Sequence, residues 1–269
     1  MKPPANANLF AAAARAIGAG QLAEAERLCR ELLRLDPNHA DGLHLLGIIA
    51  CQFGRLTEGA ELFRCSLGAN DRSADCHFNL ACALRALGRL GDAAAHFEQA
   101  STLKPAFAAA HVGLGDLLMQ QRQVEEALAC YRRALACEPR SVDAQCGLAN
   151  VAMRQGRFDE AAAGYRRVLT LRPGFAEVHN NLGAVLANQG KTHEAVAEYR
   201  RAIALKPSLL DSYRNLGRLI LAQGDVPQAL EVALDTLALA ETVETRAFFV
   251  QCATHLPADV TARMMSTAG

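Results

Sequence analysis

The sequence predicts an all-α fold of tandem helix pairs, and three periodic features predict it. Prolines 37, 105, 139, 173 and 207 fall on one 34-residue lattice, which skips position 71, where Asp71 stands. Glycines fall on a second register of the same lattice at 20, 54, 88, 156, 190 and 224, with Arg122 the exception. Between these marks, apolar residues recur at helical spacing, as in Val178, Leu182, Val185 and Leu186. A fixed period of this length marks a supersecondary unit copied end to end.

Counted from residue 6, seven units run 6–39, 40–73, 74–107, 108–141, 142–175, 176–209 and 210–243, with an N-terminal extension 1–5 and a tail 244–269. Each reads as helix, turn, helix, stop. In the sixth unit the first helix begins at Ala176 and reaches about Gln189. Gly190 follows, where a helix end needs a residue tolerant of positive φ. The second helix runs from about Thr192 to Leu205, and Pro207 stops it. Asp71, in place of the proline, is read as a loosened stop within the array.

The eighth position is always small: Ala13, Gly47, Ala81, Gly115, Ala149, Gly183 and Gly217. The twentieth is Ala except at Gly59. Small residues there let two helices approach closely. The twenty-fourth is aromatic in the five middle units, as Phe63, Phe97, Tyr131, Tyr165 and Tyr199, and fills the space between units. No unit can bury its apolar face alone, so stacking makes one continuous core.

These positions resemble the tetratricopeptide repeat family over most of the chain. Residues 176–207 and 211–225 are similar to the repeats of O-linked N-acetylglucosamine transferases and their bacterial relatives. The resemblance implies a right-handed superhelical solenoid whose first helices line a concave groove through positions two, five, six, nine, twelve and thirteen. The chain departs from the family at position four, where the usual large aromatic survives only as Tyr213 and His77, His111 and His179 stand instead. Cys29 and Ala233 replace the aromatic in the first and last units, as suits degenerate terminal repeats.

Composition fits a packed, non-catalytic body. Of 269 residues, 51% are hydrophobic, and the formal net charge is zero, which argues against general affinity for nucleic acid or an anionic membrane. The nine cysteines show no CxxC spacing and scatter over repeat positions, so they are read as small buried apolar residues in a reducing compartment. No segment reads as a signal peptide or a membrane span, and a cytoplasmic location is expected. The chain holds no GxSxG, Walker A, GxGxxG or HExxH motif. His77, His111 and His179 are read as packing residues, since one whole repeat keeps them too far apart to share an ion. No enzyme activity, cofactor or metal is expected.

What remains is the surface. Carried over from the resemblance, position six gives Asn79, Asn181 and Asn215, position five Asn180 and Arg214, position nine Asn150 and Arg218, and position thirteen Asn188 and Arg154. In transferase-type repeats an Asn ladder at position six holds the backbone of an extended peptide, and an amide suits that task because it both donates and accepts. Only Asn181 and Asn215 are consecutive, so the last two units are the expected site. Asp41, Asp75, Asp143, Glu177 and Asp211 recur in the first turn of the first helix, where an acid offsets the macrodipole. Arg30, Arg64, Arg132, Arg166 and Arg200 are read as complementing the dipole late in the second helix.

The apolar run Ala247, Phe248, Phe249 and Val250 in the tail favours a capping helix over the start of a further domain. The leading expectation is a non-enzymatic scaffold that holds a protein or peptide segment in the groove. The alternatives are the substrate-docking portion of a transferase whose catalytic domain lies elsewhere, and self-association through the end repeats.

Overall fold

The computed structural model describes residues 5–254. Residues 1–4 of the expected extension and residues 255–269 of the tail, with Met264 and Met265, lie outside the described residues. Every regular element among the described residues is a helix, and successive helices pair antiparallel. The chain divides into two compact units, with the boundary between Ser141 and Val142.

The first unit contains α1 (Ala5–Gly18), α2 (Leu22–Leu35), α3 (Ala40–Gln52), α4 (Leu56–Ala69), α5 (Ala74–Ala86), α6 (Leu90–Leu103), α7 (Ala108–Gln120) and α8 (Val124–Cys137). The second contains α9 (Val142–Arg154), α10 (Phe158–Leu171), α11 (Ala176–Asn188), α12 (Thr192–Leu205), α13 (Leu210–Ala222), α14 (Val226–Leu239) and α15 (Val243–Ala253). Side-chain caps start several of them: Ser73 accepts from the Cys76 N–H at 3.2 Å, and Asp225 accepts from Gln228 N–H at 3.1 Å.

The turn inside each pair takes a left-handed residue, with Gly190 at φ 75° and its lattice equivalents alike. Arg122 occupies the same conformation, at φ 63°, with a Cβ that resists it. Arg122→Gly is therefore expected to stabilise the chain by about 1 kcal/mol, the left-handed penalty less part of glycine's extra unfolded-state entropy. Urea unfolding of the two proteins measures it, and an unchanged or lowered midpoint contradicts it.

The proline-free stop is not loosened. Helix α4 ends at Ala69, the lattice equivalent of the last residues of α6 and α10. The Asn70 side chain accepts from the Arg72 N–H at 3.2 Å, an Asx turn that does the work of the missing proline.

The fit of helix to helix rests on one recurring contact. A Cβ on Gly47 would stand 2.6 Å from the Phe63 ring, one on Gly115 2.8 Å from Tyr131, and one on Gly183 2.8 Å from Tyr199. Phe97, in α6, reaches forward instead: a Cβ on Gly113, in α7, would stand 2.6 Å from its ring. So Phe97 joins the small residue of its own pair in one buried cluster and seats the next first helix on its ring. Gly59 departs from the alanine rule because the Cys51 thiol occupies the place its Cβ would take.

The tyrosine rings carry a hydroxyl that must be satisfied in the interior. Tyr131 Oη donates to Asp116 Oδ1 at 2.8 Å, and Tyr165 Oη donates to Asn150 Oδ1 at 2.6 Å. Opposite the phenylalanines the same lattice position is apolar, Ile48 and Cys82.

At the C-terminal end the aromatic is supplied from outside the lattice. Position twenty-four of the last pair is Ala233, and Phe248 of α15 packs onto Gly217 instead. Phe248 is 4% exposed, and Cys252 and Ala253 are buried beside it. A Thr242–Thr245 capping box starts α15. Helix α15 is thus a cap that covers the apolar end of α13 and α14.

Two expectations on charge and thiols need correcting. Arg30, Arg64, Arg132, Arg166 and Arg200 lie in mid-helix, beyond the last turn where the dipole acts. Three of them serve ion pairs: Arg30 with Glu26 at 2.7 Å, Arg64 with Glu61, and Arg166 with Glu194 at 3.5 Å. Cys65 and Cys137 are exposed, unlike the buried Cys29, Cys76, Cys130 and Cys252; all nine thiols are free.

Candidate functional site

The expected site residues of the second unit come from α9, α11 and α13, the first helices of their pairs. Helical spacing puts positions five, six, nine and thirteen on one face of each. The structure brings the α11 and α13 residues together. Asn180 Oδ1 accepts from Asn215 Nδ2 at 3.1 Å and from Ser212 Oγ at 3.1 Å, and Asn180 Nδ2 donates to Asn181 Oδ1 at 3.4 Å. Four side chains on two helices form one amide network. Asn215 spends one N–H inside that network.

Asn181 reaches back to Tyr165. Burial raises the Tyr165 phenol above its ordinary range and the Cys146 thiol adds to it, while the hydrogen bond from Asn181 works in the opposite direction. Asn150 accepts from the same phenol through its carbonyl oxygen. Asn188, exposed at the end of α11, donates to the Ala184 carbonyl at 2.8 Å and lies apart from the network.

The two arginines of α13 differ. Arg214 is held by Asp211, one turn earlier. Arg218 is exposed and has no ion-pair partner among the described residues, and Arg154 at the end of α9 is in the same condition. Neighbouring acids are already engaged: Glu177 pairs with Lys206 at 2.6 Å, and that lysine, with the helix N-terminal amides, holds the Glu177 carboxyl below its ordinary range.

Asn79 lies in the first unit and has different surroundings. Its Nδ2 donates to His44 Nε2 at 2.8 Å. Burial depresses the His44 imidazole, against the opposing pull of Asp75 and Asp41, so an unprotonated Nε2 is available to accept. Beside Asn79 a hollow of about 270 Å³ is lined by Ile48, Cys51, Leu56, Phe63 and Cys82.

The lattice histidines hold the loops. His111 Nε2 donates to the Pro105 carbonyl at 3.0 Å, and the rings of His77 and His179 meet the equivalent carbonyls of Asp71 at 3.2 Å and Pro173 at 2.9 Å. His111 and His179 are buried, as packing residues should be. The missed detail is what faces them from the second helix: His96 opposite His77 at 2.9 Å, and Glu198 opposite His179 at 2.6 Å. The lattice could have shown it, since position twenty-three lies beside the aromatic of position twenty-four.

Among the described residues no group of three or more His, Cys, Asp or Glu side chains is placed to hold a metal ion. No described helix is long and apolar enough to cross a membrane.

Comparison with known proteins agrees with this architecture. Residues 10–74, 78–145, 146–209 and 189–243 match the family described as tetratricopeptide repeat. No curated protein matches. A tetratricopeptide repeat protein from Parabacteroides merdae ATCC 43184 superposes with TM-score 0.72 at 19% identity, over 92% of this chain and 98% of that one. Cut9, in the APC/C hetero-tetramer Cut9–Hcn1, gives 0.76 at 15% identity, over 89% and 48%. YrrB, a TPR protein with an unusual peptide-binding site, gives 0.53 at 22% identity, over 69% and 96%. At these identities the structures attest the fold alone. With the family's pattern matched across nearly all of residues 10–243, the chain belongs to the tetratricopeptide repeat family.

Proposed function

We propose that the chain is a non-enzymatic scaffold that binds an extended peptide segment of a partner protein on the first-helix face of its second unit. The tetratricopeptide fold is that of a protein-interaction scaffold. The observation that carries the finer reading is the amide network of Asn180, Asn181 and Asn215 across α11 and α13. A peptide strand exposes alternating N–H and C=O groups, and prepositioned amides answer both at low entropic cost. Arg154 and Arg218, unneutralised by the chain itself, favour a segment carrying carboxylates. The similarity of residues 176–207 and 211–225 to transferase-type repeats supports the same role for these asparagines.

Selection of a phage-displayed random peptide library against the purified chain tests this. Enriched peptides are expected to be acidic and to bind the Asn181→Ala/Asn215→Ala variant about tenfold or more weakly, the loss of one to two net hydrogen bonds. Helical content stays unchanged. Failure to enrich any peptide, or equal affinity for the variant, contradicts the proposal.

A further inference from the structure

Among the described residues, His77 and His96 form a pair of facing imidazoles. His77 lies in the first turn of α5 and His96 in the middle of α6, and their Nδ1 atoms are 2.9 Å apart. The ring centroids are 5.1 Å apart, with 34° between the planes. On its far side, His77 Nε2 lies 3.2 Å from the Asp71 carbonyl. A carbonyl only accepts, so this bond fixes the proton on Nε2 and leaves the His77 Nδ1 lone pair facing His96. That is the arrangement in which a backbone carbonyl orients a metal-bound imidazole.

The separation selects the geometry. With metal–nitrogen bonds of about 2.0–2.1 Å, a donor spacing of 2.9 Å subtends about 90° at an ion once both rings turn their Nδ1 lone pairs from the shared hydrogen bond toward it. A right angle belongs to octahedral or square-planar coordination, the preference of Ni2+ and Cu2+, and not to tetrahedral zinc. Both rings are partly open to solvent, so water can complete the shell.

We propose that His77 and His96 form a binding site for a divalent transition-metal ion of the nickel–copper type. In its absence the His96 Nδ1 proton bridges the two rings. On binding, that proton leaves Nδ1 and Nε2 takes one up from solvent, so a neutral imidazole stays neutral. The charged side chains that face His96 are Arg64 and Asp92. Arg64 is itself paired with Glu61 and Asp92 with Arg89, so neither adds a net charge at the site. An ion here would tie α5 to α6 and steady the loop at Asp71.

Calorimetric titration of the full, reduced chain with Ni2+ at neutral pH tests the site; Ni2+ avoids the thiol oxidation that Cu2+ brings. One saturable event is expected, with a matching rise in melting temperature. His96→Gln and His77→Gln are each expected to weaken it by at least about 10–100-fold, a loss typical even of outer-shell changes. The Cys65→Ser/Cys137→Ser variant, which removes the exposed thiols, should bind as wild type does. Absence of saturable binding to wild type, or equal binding by both histidine variants, overturns the site. Should His77→Gln lose helical content, the His96→Gln variant, on a half-exposed helix face, decides the outcome alone.

Discussion

Phe97→Ala is expected to destabilise the first unit by about 3–5 kcal/mol, the range for deleting a fully buried aromatic side chain. The value should lie in the upper part because Phe97 serves two interfaces. It is fully buried in one cluster with Ala81, the small residue of its own pair, and packs on Gly113 of the next helix. Phe78 packs on it at a centroid distance of 5.7 Å. Alanine would leave a cavity that neither helix can close without moving the other. The tyrosine positions offer an internal control: Tyr131→Phe keeps the ring and loses the 2.8 Å bond to Asp116. It should cost about 0.5–1.5 kcal/mol. Chemical unfolding followed by circular dichroism measures both. Equal costs for the two variants would mean that the ring is not what joins the pairs.

Phe248→Ala is expected to cost about 3–5 kcal/mol locally and to release α15 from α13 and α14. Phe248 stands in for the aromatic that Ala233 lacks, so its loss leaves Gly217 facing a void. A second-site change makes this specific. Ala233→Phe in the Phe248→Ala background restores a ring at the lattice position and should recover part of the lost stability. In the wild-type background the same change puts two rings in one space and should destabilise by about 1–3 kcal/mol. Hydrogen exchange of the α13 amides reads the effect where it occurs. If Ala233→Phe fails to rescue, Phe248 is not a substitute for the lattice aromatic.

The periodic residues were legible because each answers to a local demand. Gly190 had to be at positive φ, and the aromatics needed a small residue opposite, so spacing alone named both partners. The limits of α12 followed from Thr192 and the stop before Pro207. The stop at Asp71 was misread because the lattice records only prolines, while Asn70 performs the same task with a side-chain bond. The mid-helix arginines were misread because their role depends on acids one turn away or on the next pair, Glu26 and Glu194 among them. Cross-helix pairs such as His77–His96 escaped notice for a related reason. Comparing histidines one repeat apart cannot reveal two that meet across a single helix pair.

The site was partly legible. Asn180, Asn181 and Asn215 do meet, but their bonds to one another and to Tyr165 depend on how α10, α11 and α13 pack. Asn188 and Asn79 share the pattern yet lie outside the network, one bonded to its own helix and one to His44. An asparagine's position on the lattice gives its face, and its neighbours decide what that face can offer.

Site-specific photocrosslinking is the most direct test of peptide binding on this face. A benzoylphenylalanine would replace Arg218, on the first-helix face of α13, or Arg201, exposed on the second helix α12. A library-selected peptide is then irradiated with each protein. Crosslinking from position 218 and none from position 201 is the predicted result. Crosslinking from position 201 alone would place the peptide on the second-helix face and contradict the account.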